Sequence, residues 1–144
     1  MIDMKKIIIT TTLAIGSLFA CRSAKVPVNN TSEKSIAGIN WYLKKILQAS
    51  ATIDVNDNIA FIKFDAEKNT AGGKGGCNNF GSSYQLNNSS ISFKNIYSTK
   101  MFCEKYQQQE DHFFRLLGKV NRFDVSDGKL LLYDNNDLLL EFGK

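Results

Sequence analysis

The chain has 144 residues, of which 43% are hydrophobic and 22% charged, with a formal net charge of +4. That size supports one domain with a core and leaves no room for two, and the balance excludes wholesale disorder. The basic residues are dispersed, with Lys44-Lys45 the one adjacent pair beyond the N-terminus, so no basic stripe interleaved with aromatics is offered to nucleic acid.

The first segment reads as an address. Lys5 and Lys6 precede "IIITTTLAIGSLFA", an apolar run of fourteen residues, too short for a permanent membrane span. It ends in Leu18-Phe19-Ala20-Cys21, which resembles the lipobox of bacterial lipoproteins. The resemblance implies that residues 1–20 are a cleaved signal peptide and that Cys21 is acylated. Each buried CH₂ contributes about 0.8 kcal/mol, so two or three acyl chains hold a protein to a membrane almost permanently. Arg22 stands where an aspartate retains many proteobacterial lipoproteins at the inner membrane. The expected location is therefore the cell envelope, on the outer membrane. Residues 21–35 are polar, carry the only proline of the chain, and read as a flexible tether. The folded domain is expected over 36–144.

From Gly38 onward the apolar residues recur mostly at period two. Ile39, Trp41 and Leu43 alternate with polar neighbours, then Ile53 and Val55 run into the turn signal "NDN", followed by Ile59 and Phe61. Phe61-Ile62 breaks the parity before Phe64, which predicts a bulge or a strand buried on both faces. Tyr84 and Leu86 are expected to face Ile91 and Phe93 across "NNSS". Phe123 and Val125 are expected to meet Leu130 and Leu132 across "SDGK", where Asp127-Gly128 suits a type I′ turn. A last hairpin joins "LLLY" to "LLLEF" through "DNND". In it Leu130, Leu132, Leu138, Leu140 and Phe142 fill one face, while Leu131, Tyr133 and Leu139 point the other way. Strands apolar on both faces are covered twice or line a groove; the expectation is double cover. The pattern gives seven or eight short strands with tight, antiparallel connections.

One segment departs from period two. Tyr106, Glu110, Phe113, Leu117 and Val120 recur at helical steps, with Gln107, Gln108, Asp111, Arg115 and Lys119 off that stripe. The expected class is α+β: a twisted antiparallel sheet or open barrel with one packed amphipathic helix. Glu110 stands inside the apolar stripe, where an unpaired carboxylate costs several kcal/mol, so it must be hydrogen-bonded or protonated. The donors within expected reach are the backbone N–H groups of 75–78, the Asn78 amide, and Thr99 or Lys100.

These elements give little support to several chemistries that single residues suggest. "GKGGCNNFGS" at 74–83 has the glycines of a phosphate loop, but Lys74 precedes them and a strand-like pattern follows, where such a loop opens a helix. A nucleophilic Cys77 needs a base, and the one histidine, His112, falls on the polar side of the helix. Two cysteines and one histidine lack the spacing of a zinc site. Asp54, Asp57 and Asp65 lack the regular spacing of a calcium loop and suit turns. No enzyme, cofactor or metal is expected.

The order Trp41-Tyr42-Leu43, "GGCNNF", "STKMFCE", Glu110 with Phe113, and Gly128-Lys129-Leu130 resembles the META domain, the HslJ-type family of small bacterial heat-shock proteins and lipoproteins. The resemblance covers about 36–143. Gly76-Cys77-Asn78 with Phe80 and Tyr84 fits one family motif; Thr99-Lys100-Met101-Phe102-Cys103 fits the other. Phe102 departs from a small residue, and Ser82 replaces a glycine, with Gly81 one place earlier. The resemblance supplies no catalytic residues. It implies a non-enzymatic, membrane-anchored envelope lipoprotein acting in stress response or assembly by binding another envelope component. The fold is also similar to pilotin lipoproteins that cradle an apolar ligand, so a lipid or peptide carrier is the alternative. A cysteine-dependent enzyme is the reading from the other class. With Cys21 acylated, Cys77 and Cys103 remain as an even pair, which in an exported protein reads as a disulfide. Gly75 and Gly76 would let the strand carrying Cys77 pass close beneath the helix entrance at Cys103.

Overall fold

The computed structural model describes residues 36–48 and 51–144. The signal segment 1–20, the acylation at Cys21 and the tether 21–35 lie outside the described residues. The described residues form nine strands: β1 (Trp41–Gln48), β2 (Ala51–Asp54), β3 (Phe61–Asp65), β4 (Thr70–Lys74), β5 (Asn79–Asn87), β6 (Ser90–Ser98), β7 (Arg122–Ser126), β8 (Lys129–Asp134) and β9 (Asp137–Gly143). A helix, α1 (Gln107–Leu117), runs between β6 and β7. No helix among the described residues is long and apolar enough to cross a membrane.

Neighbouring strands pair antiparallel from β3 through β9, and β9 returns to pair with β1, so the sheet closes into a ring. β1 serves three partners. Its Trp41 and Tyr42 pair with Ile62 and Phe61 of β3, its Lys45 to Gln48 stretch pairs with β2, and its other edge pairs with β9. The thinnest seam is β6 to β7, with one registered pair, Ser90 with Arg122.

The hairpins form where the turn residues predict them. Tyr84 opposes Phe93 and Leu86 opposes Ile91; Phe123 opposes Leu132 and Val125 opposes Leu130. Asp127 and Gly128 both take positive φ, 51° and 73°, as a type I′ turn requires. Inside the ring lie Trp41, Leu43, Ile46, Ile62, Phe64, Tyr84, Ile91, Leu130, Leu132, Leu140 and Phe142, all buried. α1 lays Phe113, Leu116 and Leu117 on this core, and the Phe113 ring meets Phe80 at 5.4 Å and Phe142 at 6.2 Å. Each such side chain contributes about 1.5–3 kcal/mol by leaving water.

Four expectations are corrected. The sheet has nine strands, because β4, "TAGGK", pairs fully with both neighbours while offering no apolar alternation to read. β3 carries no bulge: its register with β4 is unbroken, Ile62 and Phe64 point inward, and Phe61 turns outward to meet Tyr42 at 6.0 Å. In the last hairpin the register shifts between Leu132 and Tyr133, so Leu139 and Leu140 are both buried and Leu138 is only half-buried. Among the described residues, the face of Leu131 and Tyr133 has no second layer. It is half-buried under polar side chains, with the Arg122 guanidinium 3.8 Å from the Tyr133 ring centre and Lys129 paired with Glu141 at 2.9 Å. The helical stripe is otherwise as expected, with Tyr106 as N-cap and Val120 just past the C-terminal end.

Candidate functional site

Three pieces of chain meet at one end of the ring: the turn 75–78 between β4 and β5, the loop 99–103 after β6, and the first turns of α1. The turn is built to go under the helix. A Cβ on Gly75 would lie 2.7 Å from Phe114 Cζ and 2.8 Å from Glu110 Cγ, and Gly76 holds φ at 149°, which side-chain-bearing residues avoid. The turn closes on itself through Gly75 N–H donating to Asn78 O at 2.9 Å.

That geometry aims donors at Glu110, which is only 3% exposed. Its Oε2 accepts from the backbone N–H groups of Cys77 at 3.0 Å and Asn78 at 2.7 Å, and its Oε1 accepts from Asn78 Nδ2. The same Nδ2 donates to Met101 O at 3.0 Å, while Asn78 Oδ1 accepts from Thr99 Oγ1 at 2.7 Å and Met101 N at 2.8 Å. Asn78 thus fills both donor and both acceptor places of its amide. Flipping the amide would set oxygen against oxygen at Glu110 and at Met101, so its orientation is fixed. A disulfide joins Cys77 to Cys103, with Cα atoms 6.1 Å apart. The result is a clasp of turn, loop and helix, part covalent and part hydrogen-bonded.

The motif residues divide between clasp and core. Gly76, Cys77, Asn78, Thr99, Met101, Cys103 and Glu110 are brought together. Phe80 packs beside them on Phe113 and Phe114. Trp41 and Tyr84 belong to the ring interior: Trp41 Nε1 donates to Ile36 O at 2.9 Å, and Tyr84 meets Phe64 edge-on at 5.3 Å. Thr99 reaches Asn78 instead of Glu110. Cys77 lies in the bend and not in a strand, a correction that follows from the tight turn the two glycines make. Ser82 fills its inward position by donating to Ala71 O at 3.3 Å, while Gly81 lies under the Tyr97 ring.

His112 is hydrogen-bonded to Gln48 of β1, so the structure brings it to the sheet and Cys77 to Cys103. Asp57 accepts Ile59 N–H, and Asp65 accepts Glu67 N–H and Lys68 N–H, each at 3.1 Å. Backbone donation from Lys68 holds the Asp65 carboxyl below its ordinary range. Among the described residues no three His, Cys, Asp or Glu side chains are placed to share a metal ion.

The sequence did not reveal what the clasp displays. The large apolar side chains left exposed among the described residues are Tyr97 at 71%, Met101 at 55% and Phe102 at 79%. The one available signal was that Met101-Phe102 falls between the last residue of a strand pattern and the first of a helix pattern.

The family model of the META domain matches residues 34–144. The chain belongs to the META domain family. No curated protein matches it. Its META domain is similar to a protein from Burkholderia xenovorans solved by NMR, at a TM-score of 0.65 and 23% identity, covering 90% of this chain and 97% of that one. It is also similar to a DUF4847 family protein from Bacteroides vulgatus in a crystal structure, at a TM-score of 0.55 and 14% identity, covering 78% and 96%. At these identities the likeness speaks for the fold of the META domain and not for its activity.

Proposed function

We propose that this META-domain chain is a non-enzymatic envelope lipoprotein, anchored through Cys21, that serves stress response or assembly by binding another envelope component. The observation that carries the reading is the internal use of the clasp. Both oxygens of Glu110 and all four places on the Asn78 amide are engaged by the chain itself, and Cys77 is engaged by Cys103. Groups so occupied position a loop; they do not present a proton or a nucleophile to a substrate. The lipobox-like Leu18-Phe19-Ala20-Cys21 supports the anchor.

Fractionation tests the anchor. Cys21→Ser should leave the protein unprocessed or release it from membranes, and a processed variant that fractionates like wild type overturns the reading. The binding role is tested by capture from solubilised envelopes with the acylated protein as bait.

A carrier is the second reading, favoured by a groove of about 680 Å³ between the end of α1 and the β8–β9 hairpin, with Leu47, Leu116, Leu138 and Leu139 in its wall. It calls for saturable binding of a hydrophobic dye, competed by fatty acid. Weak, unsaturable binding removes it.

A further inference from the structure

The three exposed apolar side chains are not scattered. Met101 and Phe102 are adjacent on the loop that the clasp holds, and Tyr97 stands shortly before them in β6. Single exposed apolar residues are ordinary on any protein surface; a contiguous group is not. We propose that this loop is a second, non-covalent membrane contact, an apolar prong that seats in the interfacial layer of the bilayer to which Cys21 is tied. The inference rests on the anchored reading above.

The loop is held for presentation. Asn78 grips Met101 on both its backbone N–H and its carbonyl, Thr99 N–H donates to Asn79 O at 3.0 Å, and Cys103 is covalently fixed. With the backbone pinned on both sides of Phe102, its side chain stays out in water, and little ordering is lost on docking. Met101 and Phe102 edge a small cleft of about 160 Å³ yet remain mostly exposed, so the loop turns apolar surface outward. A bilayer interface receives such a surface without a complementary pocket, whereas a protein partner needs a matching groove.

The surrounding residues suit that interface. Lys100 and Lys105 are exposed on either side of the pair, and lysine stems lie along apolar material while their ammonium groups reach the phosphate level. Glu104 and Asp111 are exposed beside them, so the local charge is small and attachment depends on apolar insertion more than on anionic lipid. Reach is also sufficient. Residues 21–35 span at most about 50 Å when extended, and a domain of this size has a radius of gyration of about 13 Å, so any of its faces can meet the membrane. Tethering turns insertion into an intramolecular event at an effective concentration of about millimolar, enough to populate a weak contact.

Phe102→Trp tests the proposal, because the site is exposed and the native Trp41 is fully buried and gives a constant baseline. The acylated protein is placed in vesicles of phosphatidylethanolamine and phosphatidylglycerol, with and without bromine on the acyl chains. The introduced indole should shift to shorter wavelength and be quenched by the brominated lipid. Adding Met101→Ser should reduce that quenching, and it should persist in phosphatidylcholine vesicles and at high salt. Glu67→Trp, exposed in the turn at the other end of β4, should stay unquenched. Protein that floats with the vesicles while the indole at 102 remains unquenched keeps the anchor and overturns the prong. Equal quenching at 67 and 102 also overturns it, since the domain then has no preferred face. Protein that fails to float overturns both readings, and a blue shift that needs added envelope protein assigns the loop to a protein groove instead.

Discussion

Two asparagines make comparable junctions at different places in the ring. Asn78 ties the β4–β5 turn to α1 and to the loop 99–103. Asn121 ties the thin β6–β7 seam to the β8–β9 hairpin: its Nδ2 donates to Asp134 Oδ1 at 2.8 Å, its Oδ1 accepts from Asn135 N at 2.7 Å, and its own N–H donates to Tyr133 O at 2.9 Å. Each amide bridges segments distant in sequence. Asn78 is buried, whereas Asn121 is half-buried and its partner Asn135 is exposed. Water can replace what Asn121 does and cannot replace what Asn78 does. Burial, and not the number of hydrogen bonds, sets how much each junction matters.

The comparison breaks most visibly at Glu110. Glu110→Ala strands the Cys77 and Asn78 N–H groups and one Asn78 amide hydrogen, each costing about 1–3 kcal/mol when left unsatisfied, for a total of about 3–9 kcal/mol. Glu110→Gln retains the size and part of the bonding and should lose clearly less. Thermal melts of the oxidised domain check both, and equal, negligible losses would mean that the clasp is not a structural element. Next comes the disulfide. Replacing Cys77 and Cys103 together by serine should cost about 3.5 kcal/mol from the unfolded-state entropy of a 26-residue closure, measured by denaturant unfolding. The smallest effect sharpens the contrast: Asn121→Ala should cost about 1 kcal/mol in the same assay, well below Asn78→Ala. Similar losses at the two sites would show that water does not compete at the seam as its exposure indicates.

Much of the ring was legible because period-two alternation and asparagine, aspartate and glycine turns act locally. The registers around "NNSS" and "SDGK" came out as read. β4 was not legible for a physical reason: "TAGGK" lies where neighbouring backbones approach too closely for side chains, so the strand lacks the residues that announce strands. The bulge at Leu139, opposite the step from Leu132 to Tyr133, escaped because it depends on the pairing of two strands and leaves no mark in either. At the clasp, Glu110 could be found since a carboxylate in an apolar stripe demands donors, and the glycine-cysteine-asparagine run could supply them. The outward pose of Met101 and Phe102 could not be found. Side chains of a loop take their direction from the partners that pin its backbone, and here those partners lie more than twenty residues earlier.

Ring closure has a consequence for the order in which the protein can be completed. β1 finds β2 and β3 downstream along the chain, but its other edge is satisfied only by β9, the last strand of the ring in chain order. Until then that edge offers unpaired backbone groups to any stray strand, and a pairing between segments so far apart in the chain is slow to form. Phe142 also arrives with β9, so Phe113 of α1 gains that ring contact in the same step. A chain in which β9 has not docked therefore has an open edge and an unfinished interior together, and the docking of this one strand closes both.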